Sequence, residues 1–460
     1  MMLGIRTCAT RRTVANSQHR LFSGRKDVAC ELAASSIRFG AGVTAEIGLD
    51  LKELKARNVV MFTDSHLRDL PVVHTVLDSL ADNGIRAHVY DQVRVEPNDI
   101  SFQHAIAYMN GLATDVDAIV AVGGGSVIDT AKIANLYSMF PPSDFYDYVN
   151  PPVGKGIPVP GALRPLFAIP TTAGTGSETT GVAIFDDTRT KSKTGVAHRR
   201  LKPTLGIVDP LNTATLPPNV AKYSGFDVLC HAIESFTAIP FTERPYPSTP
   251  NHRPAYQGSN PISDIWSLHA LQQTNKFLRR AVRDVSDVEA RSAMLLASTA
   301  AGIGFGNAGV HLCHGMSYPI ASQVKSYVPP GYDVGHPMVP HGHSVVVTAP
   351  AVFRFTGQAN PDRHMTCAQA LAQGTERWHK YDQMTSKAKA EGAGDILADE
   401  VLRLMQDLDV PLGIGFLGYT ASDVPALVKG TLPQHRVTKL APRPAREDDL
   451  HRLFENALHY

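Results

Sequence analysis

Residues 117–132 read DAIVAVGGGSVIDTAK. Ala118–Val122 is apolar throughout, as a strand covered on both faces is. Gly123, Gly124 and Gly125 follow, and Ser126 then opens a segment of helical periodicity. Strand, glycine turn and helix together form a junction where backbone N–H groups and the helix dipole face an anion such as a phosphate. The spacing is not the dinucleotide fingerprint, because the third spaced glycine is missing. It is not a P-loop either, because no Gly-Lys-Ser/Thr follows. Taken alone, such a turn is equally a tight connection between strand and helix.

Working outward, the same alternation repeats. Val59–Thr63, Ala87–Tyr90, Leu166–Ile169, Val182–Phe185 and Leu205–Val208 are short β-rich runs bounded by Gly, Pro or Asp and separated by helical segments. This predicts a doubly wound α/β domain over residues 27–212. Past Pro217-Pro218-Asn219 the strand signals thin out. Ser263–Arg280, Val288–Gly302, Met365–Thr375 and Asp395–Asp407 carry helical periodicity, which predicts a helical domain over residues 213–460. Phe241–Pro261, with five prolines at 245, 247, 250, 254 and 261, reads as a loop.

Two further stretches support a nucleotide site in the first half. Asp64 closes the strand NVVMFTD, where a carboxylate accepts bonds from an adenosine ribose and repels a 2′-phosphate, favouring NAD over NADP. PTTAGTGSE, Pro170–Glu178, gathers two glycines and four hydroxyls in one loop.

The second half carries the reactive side chains. Asp227 and His231, four apart in KYSGFDVLCHAIESF (Lys222–Phe236), project from one helical face. VHLCHGMSYP supplies His314 and VPHGHS supplies His341. Three imidazole nitrogens and one carboxylate oxygen suit Fe2+ or Zn2+ and do not suit Ca2+ or Mg2+. Glu234 is placed to support a ligand from behind, and His311 reads as structural. The bland alternatives are a packed core histidine for each imidazole and, for Asp227, a capping-box carboxylate three residues past Ser224.

Composition excludes several classes. With 44 basic and 43 acidic residues in 460, there is no charge bias towards nucleic acid or an anionic membrane. No apolar run reaches the roughly 20 residues of a membrane helix. Five scattered cysteines argue for a reducing compartment rather than a disulfide framework. The first 26 residues hold Arg6, Arg11, Arg12, Arg20, Arg25 and Lys26 and no acid. An Arg-rich, acid-free start of this kind predicts a mitochondrial transit peptide over residues 1–26. Oligomeric state stays open, and a homo-oligomer is compatible with everything above.

GGGSVIDTAK, IPTTAGTGSE, the Asp227/His231 pair, HGMSYP and PHG occur here in the order found in the iron-containing (group III) alcohol dehydrogenases. The chain resembles that family from about Phe39 to the C-terminus. The proline-rich loop and SYVPPGYDVGHPMVPHGHS (Ser326–Ser344) resemble the branch that exchanges hydride between hydroxyacids and oxoacids. The resemblance implies a Rossmann-like α/β nucleotide-binding domain, an all-α metal-binding domain and an active site in the cleft between them. It assigns the metal, Fe2+ with Zn2+ open, to Asp227, His231, His314 and His341. It assigns nucleotide positions to Asp64, Gly124, Gly125, Ser126, Asp129, Thr171, Thr172, Ser177 and Lys193.

The implied reaction oxidises 4-hydroxybutyrate to succinate semialdehyde and reduces 2-oxoglutarate to D-2-hydroxyglutarate. NAD stays tightly bound and is not needed as a free cosubstrate. Three other readings stay open: an NAD-dependent alcohol dehydrogenase releasing NADH, a lyase of the dehydroquinate-synthase type, and a non-enzymatic metal- and nucleotide-binding protein. In one respect the chain departs from the family. Many relatives carry a second His four residues after the third ligand, where this sequence has Tyr318, so the proton relay falls to Tyr318, His343 or ordered water. Carboxylate substrates also call for cations, and Arg199, Arg200, Arg253 and Lys325 are the candidates.

Overall fold

In the computed structural model, which describes residues 25–460, six parallel strands form one sheet in the order β1 (Ser36–Phe39), β8 (Leu205–Val208), β5 (Leu166–Pro170), β4 (Ala118–Gly123), β2 (Asn58–Phe62) and β3 (Arg86–Tyr90). Every residue of β4 and β5 is buried, as both-face coverage demands. One face, with Val59, Met61, Val120 and Val122, packs on α1 (Ile47–Glu53) and α2 (Pro71–Asp82). The other, with Val60, Phe62, Ile119 and Ala121, packs on α3 (Asp99–Asn110) and α4 (Gly125–Met139). The period-2 alternation of side chains thus feeds two separate cores.

The doubly wound sheet appears as expected, with two corrections. Val182–Phe185 is a strand, but it belongs to β6 (Val182–Asp187), which pairs antiparallel with β7 (Ser192–Ala197) in a hairpin outside the main sheet. Sequence reading missed β7, because SKTGVA lacks a continuous apolar run. It also missed β1, an edge strand that buries neither end.

From Pro218 onward the described residues are helical, apart from turns and isolated bridges. The central elements are α5 (Pro218–Thr237), α6 (Pro261–Arg283), α7 (Val288–Ala308), α8 (Leu312–Ser322) and α9 (His341–Val346). One large apolar cluster joins them, including Phe226, Leu229, Ile233, Leu271, Leu295 and Val345. Residues 241–260 hold two short 3-10 turns and two isolated bridges, in keeping with a loop, and Pro261 opens the next helix. α7 and α8 meet at a 105° bend, where Gly309 adopts φ +96. No single described helix is long and apolar enough to cross a membrane.

The expected leader lies outside the described residues except for Arg25 and Lys26. Lys26 bridges Pro245 and pairs with Glu243. Asp27 is buried, takes Arg244 and Arg253 as ion-pair partners and has its pKa held near 2 against the opposing effect of burial.

Candidate active site at the sheet and helix junction

α5 begins at Pro218, with Pro217 as its N-cap residue. Asp227 is therefore mid-helix and not a capping-box carboxylate. Asp227 and His231 lie one turn apart on the same buried face. α8 contributes His314 from its first turn, and His341 opens α9. Asp227 Oδ1 lies 3.6 Å from His231 Nε2, 3.5 Å from His314 Nε2 and 3.6 Å from His341 Nε2. The four donors fall within 4.8 Å of one another.

Asp227 Oδ1 and His314 Nε2 are buried and have no hydrogen-bond partner. Leaving such atoms unsatisfied is costly. A cation among the four donors relieves that cost, and the donor set fits a borderline transition metal. Glu234, one turn beyond His231 and wholly buried, supports the group from behind. Its Oε2 meets His314 Nδ1, and its Oε1 accepts from the Cys313 N–H at 2.6 Å. This fixes the His314 ring and aims Nε2 at Asp227, the usual arrangement behind a metal-bound imidazole.

Electrostatics follow from burial and these carboxylates. Burial pushes His231 down to about 3, with Asp227 opposing, and lowers His341. Burial also works against the His314 cation, but Glu234 and Asp227 outweigh it and hold His314 at about 9. Asp227 is itself held below the usual carboxylate range, because the surrounding imidazoles outweigh its desolvation. His231 stacks on Phe305 at 3.8 Å between ring centroids, which fixes its plane.

Two adjoining cavities open onto this group. A cavity of about 440 Å³ is lined by Asp64, Gly124, Gly125, Ser126, Thr171 and Thr172, and reaches Asp227 and His341. A smaller one of about 110 Å³ holds all four donors together with Gly125, Ser126, Asp129, Ser177, Lys193 and Tyr318. The predicted metal and nucleotide residues and Tyr318 therefore line one cleft, though not for one task. Asp129 and Ser177 are bonded to each other at 2.5 Å, and both accept from the buried Lys132. Lys193 is buried between Glu96 at 2.5 Å and Asp186 at 3.2 Å. These three sit at the metal end, away from the larger cavity. Asp64 Oδ1 accepts from the N–H groups of His66 and Leu67, which holds the loop after β2 against the cavity.

His343 requires correction. It lines neither cavity. It is fully buried, stacks on Tyr223 at 4.4 Å and meets Tyr327 edge-on. Burial and the Lys222 charge push its pKa down to about 3. Two residues along a helix turn a side chain about 200° away, so His341 faces the cleft and His343 the core. His311 is structural as expected, bonded through Nε2 to Thr237 Oγ1 at 3.0 Å.

The predicted substrate cations are engaged elsewhere. Arg199 pairs with Glu31, Arg253 with Asp27 and Lys325 with Asp423, while Arg200 donates to Val159 O. Sequence reading missed Lys132, Glu96, Tyr256, Phe305 and Arg436. Lys132 stood in the quoted glycine-turn motif, and its burial was the unread signal. Tyr256 lay inside the proline-rich loop, where nothing local marks it.

The family model described as iron-containing alcohol dehydrogenase matches residues 34–210, and that of the Fe-containing alcohol dehydrogenase family C-terminal region matches residues 255–458. The chain belongs to the iron-containing alcohol dehydrogenase family. It is 58% identical over 433 residues to hydroxyacid-oxoacid transhydrogenase, mitochondrial, of Bos taurus, spanning 94% of this chain and 90% of the relative. The Homo sapiens protein of the same name is 57% identical with the same coverage. Among solved structures, the alcohol dehydrogenase of Oenococcus oeni superposes with a TM-score of 0.77 at 25% identity, covering 93% of this chain and all of that one. Membership in this family makes the chain an oxidoreductase that uses NAD and a metal, and its near relatives are mitochondrial.

Proposed function

We propose that the chain is a hydroxyacid–oxoacid transhydrogenase of the mitochondrial matrix, with Fe2+ held by Asp227, His231, His314 and His341 and with NAD retained between turnovers. It oxidises 4-hydroxybutyrate to succinate semialdehyde and passes the hydride to 2-oxoglutarate, giving D-2-hydroxyglutarate. The observation that carries this reading is the convergence of the four donors on the end of a cavity walled by the glycine turn, in a chain 58% identical to a named transhydrogenase.

When bound, the metal polarises the carbinol or carbonyl oxygen and the nicotinamide accepts and returns the hydride. The chain's own residues do the rest. Gly124, Gly125 and Ser126, at the start of α4, would offer backbone N–H groups to the pyrophosphate, and Thr171 and Thr172 border the same wall. Asp64, on the wall of that cavity, would accept from the ribose of a bound NAD. Phe305, Val310 and Val182 line the small cavity and keep water from the reacting carbon. The proton lost from the hydroxyl in one half-reaction is regained by the carbonyl oxygen in the other. Tyr318, one turn beyond His314 on α8 and lining the same cavity, is placed to carry it.

The direct test is turnover of purified protein with 4-hydroxybutyrate and 2-oxoglutarate and no added nucleotide. Succinate semialdehyde and D-2-hydroxyglutarate should form in equal amounts, with NAD recovered from the denatured protein. Strict dependence on added NAD, with net NADH release, would identify a plain alcohol dehydrogenase instead.

Tyr318→His tests the relay. An imidazole accepts a proton only above its pKa of about 6.5, and the neighbouring Arg436 cation lowers that value further. The variant should keep its metal and gain an acid limb, with kcat falling as pH drops through about 6. An unchanged pH–rate profile removes Tyr318 from the proton path.

A further inference from the structure

α8 and α9, which carry His314 and His341, are joined by residues 323–340, and these form no helix or strand. Structureless connections inside a compact domain seldom exceed about 12–15 residues, and those that do are usually lids or binding loops. From residue 331 to 337 exposure alternates along the chain. Gly331, Asp333, Gly335 and Pro337 are exposed, while Tyr332, Val334 and His336 are half-buried. That is the period of an extended chain lying with one side against the protein. Met338, Val339 and Pro340 are then buried.

The strap so formed stands between two cavities. Tyr332, Val334, Met338 and Pro340 line the 440 Å³ cavity that Asp64 and the glycine turn also wall. His336, Pro337, Met338 and Val339 line a larger outer cavity of about 1090 Å³. The outer cavity and the metal cavity adjoin at Glu96 and Lys193, which line both. A small acid therefore has an approach to the metal donors on that side while the strap stays closed.

The strap's own sequence sets its shape. Gly331 and Gly335 hold φ of +76 and +62, a region that suits glycine, and the prolines at 329, 330, 337 and 340 fix φ around them. Met338 N–H donates to Tyr327 O at 2.8 Å, which closes the strap on its own root. Two contacts tie it to α5. Asn219 Nδ2, in the first turn of that helix, donates to Pro330 O at 2.9 Å. The Tyr332 ring packs against the helical core with its centre 6.5 Å from that of Tyr223.

We propose that this strap holds NAD in its cavity. Bound nucleotide leaves only when residues 329–340 lift away, whereas the small acids exchange through the outer cavity without that step. The inference rests on the transhydrogenase reading above, in which one nucleotide stays through both half-reactions while one acid leaves and another enters. Release through a gate is slowed by the fraction of time the gate is shut, so each contact that fastens the strap slows release. Asn219 is a positioning residue in this scheme. It lines none of the three cavities, and its effect on the nucleotide runs through the strap.

The test is exchange of bound NAD for labelled NAD, followed on the holoenzyme without substrates. Asn219→Ala should speed exchange by about 2- to 10-fold, the range for one net hydrogen bond. Tyr332→Ala should speed it by about 10-fold or more, as the loss of a packed aromatic ring does. Tyr332→Phe keeps the ring and should exchange at the wild-type rate. Metal content should be unchanged in every variant, and Asn219→Ala supplied with saturating NAD should match wild-type turnover.

A wild-type exchange rate in Asn219→Ala overturns the proposal, because faster exchange in Tyr332→Ala alone assigns a direct contact with the nucleotide and no gate. Loss of metal together with NAD overturns it as well, since the strap would then be a brace for His341. Should Tyr332→Ala fail to fold, Asn219→Ala, which truncates one exposed side chain, decides the matter alone. The readout needs no turnover. A wild type that requires added NAD and releases NADH defeats the transhydrogenase reading, whereas equal exchange rates in wild type and variants defeat the strap.

Discussion

Asp227→Asn should abolish metal retention and cut turnover by about 10³-fold or more, since loss of metal polarisation forfeits several kcal/mol of transition-state stabilisation. The substitution keeps size and helix, so little else changes. Asp227 Oδ1 is the hub of the donor group, within 3.6 Å of all three imidazole nitrogens. It is also the only carboxylate in that group. Asn supplies a neutral oxygen and leaves a divalent ion with no anionic ligand in a buried site.

Two measurements check the expectation independently of activity. Elemental analysis should find metal in the wild type and little in the variant. Thermal unfolding should shift downward on chelation in the wild type, because an ion that binds only the folded chain stabilises it, whereas the variant should not respond to chelator. A variant that keeps its metal would move the ion away from Asp227 and undo the donor assignment.

The parts of this molecule legible in the sequence are those where one local pattern has one physical outcome. Ala118–Val122 and Leu166–Ile169 are uniformly apolar because both sheet faces are covered, and Asp227 and His231 share a face because four residues make about one helical turn. Where a pattern has two outcomes, the reading failed or stopped short. Val182–Phe185 looks like any buried strand, yet a turn at Lys191 with φ +49 folds it back on β7. His343 carries the same residue type as His341 two positions earlier, and only the packing of α9 on α5 decides which of them faces the cleft. The substrate cations could not be chosen from the sequence, because whether an Arg is already paired depends on residues far away. Arg253 finds Asp27 across 226 positions.

The packing of α9 on α5 leads to the second large effect. Gly342 stands between His341 and His343, at the closest approach of the two helices. A Cβ there would lie 1.9 Å from Tyr223 O and 3.0 Å from Asp227 Cβ. Both are contacts with α5, and the nearer is with its backbone, so no rotamer change relieves it. Gly342→Ala must push α9 outward, which carries His341 away from Asp227 and loosens the Tyr223–His343 stack. Overpacking of this kind costs about 1–3 kcal/mol, or roughly 1–3 °C in Tm for a chain of this length. The loss of metal and activity should far exceed what that stability change explains, because a donor moved by an ångström no longer closes the site.

Gly392→Ala serves as control. That glycine lies in the helix Ser386–Asp407, and its added Cβ comes no nearer than 3.4 Å to the flexible end of Ile396. It should hold or slightly raise Tm, as Ala replacing Gly in a helix does, with metal content unchanged. If Gly342→Ala retained its metal and lost only stability, the position of His341 would not depend on this contact, and α9 would have room to shift along α5 without opening the donor group.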